Sequence, residues 1–268
     1  RWQLWPLHQW LSQIENVHDM CMCPHANAVV NCGFVRPGVE LRDLETGDVI
    51  RRFKVTARPL SVSMHAETWP DVVAVGCEWN GMQLWDLRSR SLIRKLEDAM
   101  GPVESMAFSR NGQELCCAAQ ICRRAVEKGL TVWDVGSGAK MSNRISLDVN
   151  SYTCVRLHPS KDVYVAQSQA NYAVKFSSLP PYKLNKHGRF ESHSVEGYGT
   201  QLAFVGNSYL CSGSSNGFVV LYRWGSCDVV WSREVCSFFD AVIDVAPNPE
   251  HMDVLACSTS NGRVVLLW

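Results

Sequence analysis

One short pattern recurs along the whole chain, and its spacing limits the fold more than any other feature of the sequence. The segments are WQLWPLHQW (2–10), VELRDLETGDVI (39–50), GMQLWDLRSRSLI (81–93), GLTVWDVGSGAKM (129–141), YAVKFSSLPPYKL (172–184), GFVVLYRWGSCDVV (217–230) and GRVVLLW (262–268). Each is a short apolar run closed by a large side chain and, in most, followed by a polar turn. Aligned on the closing residue they reach Trp5, Arg42, Trp85, Trp133, Phe176, Tyr222 and Trp268, steps of 37 to 48 residues. A period of that length is the length of a four-stranded antiparallel sheet repeated around a ring, the blade of a β-propeller.

The turns between the segments agree. Asn80-Gly81, Asn216-Gly217 and Asn261-Gly262 each precede one of the recurring strands, and Asn111-Gly112 sits one hairpin earlier in its blade. Asn-Gly supplies the two positive φ values that a tight hairpin needs. Pro159 and Pro247 end apolar strands, where a residue without an N–H cannot continue the ladder. Trp85-Asp86 and Trp133-Asp134 spell the dipeptide that names WD repeats, with each aspartate placed to hold the turn after its strand. The fold class expected is therefore all-β: a single WD-repeat propeller over 1–268.

Counting strands divides the chain unevenly. Residues 1–14 hold the last two strands of a blade, 15–239 hold five full blades, and 240–268 hold an incomplete one. Twenty-five strands stand where seven complete blades need twenty-eight. The expectation is seven blades in the intact protein, incomplete at the front end here; Arg1 in place of Met reads as an excised piece. Lys+Arg and Asp+Glu balance at 26 each, so no global field pulls the chain onto nucleic acid or membrane. No apolar run is long enough to span a bilayer as a helix. Of the 12 cysteines, Cys32, Cys77, Cys117, Cys211 and Cys257 fall near one point of successive repeats, which reads as a small hydrophobe filling a core niche in a reducing compartment.

Several stretches go beyond the generic repeat. VWDVGSGAKMSNRI (132–145), LHPSKDVYVAQSQANYAVKFSSLPPYKLNKHGRFESHSVEGY (157–198), CSTSNGRVVLLW (257–268) and GFVRPGVELRDLETGD (33–48), in which Arg42 replaces the tryptophan, carry a resemblance. The chain resembles, over residues 2–268, the propeller of the family of WD repeat-containing protein 25 and its relative pre-mRNA-processing factor 17. The run from Lys183 to Tyr198 is the most specific part. The resemblance implies a propeller without chemistry of its own, working in the spliceosome at the second catalytic step. It also implies a long region before the propeller that carries much of the spliceosome contact.

Candidate sites are sparse. Gly213-Ser214-Ser215-Asn216-Gly217 matches the G-x-S-x-G nucleophile elbow, but that motif needs a strand-to-helix turn and this one lies between strands. Cys21, Cys23 and His25 offer C-x-C-x-H, short of the four ligands and wider spacing of structural zinc; the core reading is preferred. His193 sits where WD repeats place a structural turn histidine. No catalytic residue, metal, cofactor or small-molecule substrate is expected.

Two basic loops are the candidate partner-binding residues. One carries Arg123, Arg124 and Lys128; the other carries Lys183, Lys186 and Arg189, with Tyr182 as a flat partner. Positive charge interleaved with an aromatic suits an RNA backbone or a stacked base. The function expected is a non-catalytic scaffold for macromolecular assembly in pre-mRNA splicing, with spliceosomal proteins as partners, in the nucleus, with the cytoplasm also open. The alternative is a substrate receptor docking onto a cullin-4 ubiquitin ligase adaptor through Trp85, Asp86 and Arg88, since Trp85-Asp86-Leu87-Arg88 resembles that docking string.

Overall fold

The computed structural model describes residues 17–33, 38–97, 100–121, 127–142, 147–148, 150–237 and 239–267. They form antiparallel sheets in chain order, each strand hydrogen-bonded to the next. Blade 1 is β1 (Val17–Cys23), β2 (Ala28–Gly33), β3 (Gly38–Asp43) and β4 (Val49–Phe53). Blade 2 is β5 (Pro59–His65), β6 (Trp69–Cys77), β7 (Met82–Asp86) and β8 (Leu92–Leu96). Blade 3 is β9 (Met100–Phe108), β10 (Glu114–Ile121), β11 (Glu127–Asp134) and β12 (Lys140–Ser142), with the short β13 (Leu147–Asp148) also on β11. Blade 4 is β14 (Tyr152–Leu157), β15 (Val163–Ser168), β16 (Tyr172–Ser177) and β17 (Leu184–Phe190). Blade 5 is β18 (Leu202–Val205), β19 (Tyr209–Gly213), β20 (Phe218–Arg223) and β21 (Val229–Glu234). Blade 6 has three strands among the described residues, β22 (Val242–Pro247), β23 (Leu255–Thr259) and β24 (Val264–Leu267). The all-β propeller expected from the repeat is what folds, with six blades in the described residues.

Each blade is amphipathic twice over, because alternate residues of a strand face opposite neighbours. Five apolar cores result, one at each joint from blade 1 to blade 6. Val30, Leu41 and Phe53 of blade 1 meet Val62, Val73 and Val75 of blade 2. Met82, Leu84 and Leu96 then meet Met106, Phe108 and Trp133 of blade 3. The remaining joints repeat the scheme.

Polar bonds near the central channel stitch the same joints. The N–H of Val62 donates to Asp19 Oδ2 at 2.9 Å, that of Val155 to Ser105 Oγ at 3.1 Å and that of Leu202 to Cys154 Sγ at 3.5 Å. Ser61 Oγ donates to the carbonyl of Val103 at 2.8 Å. Asp19, Ser61, Ser105 and Cys154 follow a register shift in the first strand of their blades, so one backbone irregularity places the same bridging side chain four times.

Two details correct the sequence reading. Leu267, not Trp268, pairs with the second strand where Trp85, Trp133, Phe176 and Tyr222 do: Leu267 lies opposite Leu255, as Tyr222 lies opposite Leu210. Trp268 itself lies outside the described residues, as do Trp5 and the rest of 1–16. The recurring cysteines all lie on second strands and are buried without a disulfide, but only Cys117 and Cys257 share a register, opposite Met106 and Val245.

Candidate functional site

The turns after the third strands are held as expected from Asp86 and Asp134. Asp86 Oδ1 accepts the N–H groups of Arg88 and Ser89 at 2.7 and 2.8 Å, and Asp134 Oδ1 accepts that of Ser137 at 2.6 Å. Asp43 does the same for Glu45 and Thr46, each at 2.8 Å. Hydrogen bonds to the ionised form, Ser89 first for Asp86 and Ser137 first for Asp134, lower these carboxyls from their usual range. Trp85 is half-buried, its indole N–H on Gln83 Oε1 at 3.0 Å. Arg88 extends from the turn into solvent, with one contact to Asp71 at 2.9 Å, while Arg51 of blade 1 donates to the carbonyls of Leu87 and Arg88.

Arg42 departs from the tryptophan pattern by rebuilding it with charge. Where Trp85 bonds Gln83, the buried Arg42 donates from Nε and Nη2 to Glu40 Oε2 at 2.9 and 2.7 Å. Arg52 holds the other carboxylate oxygen at 2.9 Å. A buried pair needs just this kind of multiple bonding to offset its desolvation.

His193 is a structural group, as its position in the repeat suggested. It is buried, its Nδ1 lies 2.8 Å from the Tyr222 hydroxyl, and burial lowers its pKa to about 4. Gly213 to Gly217 turn between β19 and β20, and Ser215 Oγ donates to Ser194 Oγ at 2.8 Å rather than to a histidine. Cys21 packs against the blade 1 core, and His25 Nε2 lies 2.9 Å from the carbonyl of Ala66. Among the described residues no three His, Cys, Asp or Glu side chains gather as a metal site, and no helix is long and apolar enough to cross a membrane.

The basic loops fare differently from one another. Arg123 and Arg124 lie outside the described residues; Lys128 falls on β11, and its side chain lies outside them too. Lys183 and Lys186 are exposed. Arg189 stacks on Tyr172, 3.8 Å from the ring centre, and pairs with Glu191 at 2.6 Å. Tyr182 is a correction: it is buried in the core between blades 3 and 4, its hydroxyl donating to Glu114 Oε1 at 3.0 Å. A left-handed backbone at φ 56° turns it inward, so its ring is not a platform for a base.

What the loop offers instead is a groove of about 480 Å³ across the edge of blades 4 and 5, bounded by Lys161, Lys175, Lys183, Asn185 and Trp224. Lys175 lies in the strand interior. Its ammonium donates to the Trp224 carbonyl and sits 4.3 Å from the Trp224 ring centre and 4.8 Å from that of Phe190. Asp162, the groove's carboxylate, is held by Arg110 Nε at 3.1 Å. The lysines Lys161 and Lys183 flank the opening from two different strand ends, a concave positive surface suited to an anionic or polar partner. Lys161 and Lys175 were not among the residues the loops suggested. A lysine at an alternating position within YAVKFSS was the available signal for Lys175.

Sheet order, inter-blade cores and aspartate-held turns define the class: a WD-repeat β-propeller. No family model matches the chain. It is 29% identical over 191 residues to WD repeat-containing protein 25 of Mus musculus, covering 69% of this chain and 35% of that protein. It is 23% identical over 230 residues to pre-mRNA-processing factor 17 of Saccharomyces cerevisiae (84% and 49%), and 24% identical over 220 residues to that of Homo sapiens (81% and 37%). The chain is a relative of that family, and it spans between a third and a half of the length of these proteins.

Proposed function

We propose that the protein is a non-catalytic propeller platform for macromolecular assembly in pre-mRNA splicing, acting in the nucleus. The observation that carries this reading is the similarity, across about four fifths of the chain, to proteins named for pre-mRNA processing. The open lysine groove at blades 4 and 5 supports it as a place where an acidic protein segment or an RNA backbone docks. The architecture suits the role: rigid blades carry polar turns at both rims, so partners are held at fixed geometry without moving the scaffold. The intact propeller has seven blades on this reading. Co-purification from nuclear extract with the full-length tagged protein tests the proposal. Spliceosomal small nuclear RNAs and splicing proteins are expected, and their absence from the eluate overturns it.

A second reading is docking onto a cullin-4 ligase adaptor through Trp85, Asp86 and Arg88. The observation in its favour is Arg88, whose side chain is 78% exposed on a turn fixed by Asp86. Trp85 would serve there as support rather than contact, being half-buried against Phe53. An Arg88→Ala variant that loses an adaptor present in the wild-type eluate would favour this reading. A variant that retains all partners would remove it.

A further inference from the structure

At two joints an arginine of the outer strand crosses to the turn of the next blade. Arg51, opposite Leu41, donates to the carbonyls of Leu87 and Arg88. Arg94, opposite Leu84, donates to those of Gly136 and Ser137 at 2.8 and 2.7 Å. Leu41 and Leu84 each precede the closing residue of a third strand. In blade 4 the residue at that position is Lys175, and its partner on β17 is Asn185. Asn185 is too short to cross, and its Oδ1 accepts the N–H of His187 at 3.1 Å. Lys175 itself supplies the carbonyl of Trp224, which stands where Leu87 stands. Gly225, the next residue, stands where Arg88 and Gly136 stand, and among the described residues no donor reaches its carbonyl. A Cβ built on Gly225 would meet nothing within 4 Å. The groove of about 480 Å³ between Asn185 and Gly225 is thus the space that a bridging arginine fills at the other two joints.

Its walls combine three kinds of chemistry. Lys161 and Lys183 are exposed on either side, and His158 Nδ1 fixes the turn of Lys161 by accepting the N–H groups of Ser160 and Lys161 at 3.1 Å each. Asp162 is neutralised by Arg110 at 3.1 Å, so the rim is left positive and attracts anions. Val163 and Leu184 add apolar wall, and the Gly225 carbonyl asks for a donor. An extended acidic peptide brings carboxylates, an apolar side chain and backbone N–H groups at once. A single RNA strand would also need rings on which to stack its bases, and Tyr182, Phe190 and Trp224 are 0 to 5% exposed.

We propose that the groove binds an acidic segment of a partner protein in extended form. Carboxylates meet Lys161 and Lys183, an apolar side chain lies on Val163 and Leu184, and a backbone N–H donates to the Gly225 carbonyl. The proposal rests on the assembly-platform reading and narrows it to one kind of partner.

Fluorescence anisotropy on the purified full chain at low ionic strength tests it. The probes are a fluorescein-labelled peptide of glutamates around one leucine, the same peptide with alanine for the leucine, and a labelled oligouridylate of equal length. The leucine peptide is expected to bind most tightly of the three. Lys161→Glu/Lys183→Glu should weaken it at least about tenfold, and Lys186→Glu, off the groove walls, by no more than about twofold. Asn185→Arg restores the bridging arginine, so it should also cost about tenfold although it adds a positive charge. Unchanged melting temperatures show that the variants fold. Tighter binding by Asn185→Arg overturns the proposal, since charge alone would then explain the affinity. Equal losses at Lys183 and Lys186 overturn it too, as does an oligouridylate that binds more tightly than the peptide. Co-purification from nuclear extract decides the platform reading and this titration decides the groove's ligand, so each can fail without the other.

Discussion

Burial of His193, in the connection from blade 4 to blade 5, makes one residue a source of acid sensitivity. Its pKa falls to about 4 in the fold against an ordinary value near 6.5, so the unfolded chain takes up a proton that the folded one refuses. That contribution is complete above pH 6.5 and is lost as pH falls toward 4, worth up to about 3 kcal/mol by the bottom of the window. A melting series from pH 7 to pH 4.5 should show the fall, and His193→Gln should flatten it. Asp19 runs the other way. Burial at the channel raises its pKa to about 6 from 3.8, so its ionisation is opposed by the fold and stability is lost as pH rises from 4 through 6. Asp19→Asn keeps an oxygen to accept the Val62 N–H, so it should raise the melting temperature at pH 8 and have little effect at pH 4. Asp244 faces the same channel and keeps contact with water there, yet the protein around it still raises its carboxyl. At Arg42 the expected outcome is a loss of about 3 kcal/mol on Arg42→Ala, because Glu40 is left buried with Arg52 alone. The double change Glu40→Gln/Arg42→Trp copies the Gln83–Trp85 pair of blade 2 and should recover most of that loss in a chemical denaturation curve.

The strand and its turn are the scale at which the sequence was most readable. Asn-Gly hairpins, apolar alternation and the aspartates that end the third strands of blades 1 to 3 located the blades, because each of those signals is local chemistry: a positive φ, a face, a carboxylate accepting the N–H groups of its turn. Asp134→Ala should lower stability by about 1 kcal/mol through loss of the bond to Ser137. The slip at the last blade has an equally local cause. Aligning on a large closing side chain picks Trp268, six residues after Gly262, whereas the closing residue Leu267 stands five after that glycine, as Tyr222 stands five after Gly217. The candidate site was less readable. That Lys183 and Lys186 reach solvent follows from a polar loop, but the inward turn of Tyr182 depends on a left-handed backbone and on a space opened by Glu114, 68 residues away. Lys161 joins Lys183 at one groove only because two hairpins of blade 4 end side by side, a tertiary fact with no mark in either segment.

For the whole molecule, a stack of rigid blades with five apolar joints among the described residues leaves function to its rims, and the groove beside Trp224 is a rim feature with both shape and charge. Replacing Lys161 and Lys183 with glutamate changes two exposed side chains and should leave the melting temperature within a degree or two, since exposed substitutions are worth about 0.5 kcal/mol or less. If an RNA backbone or acidic segment docks there, the same variant weakens binding across all sequences and lowers the salt dependence by about one unit for each contact removed. The central claim, a platform that splicing needs but that does no chemistry, is met most directly in nuclear extract. Extract depleted of the protein is given a reporter pre-mRNA, and spliced product is followed over time with and without purified full-length protein. The account predicts that depletion slows splicing, that wild-type protein restores it, and that the Lys161→Glu/Lys183→Glu variant restores it poorly despite normal folding. Splicing that proceeds at the same rate in depleted and intact extract would contradict it.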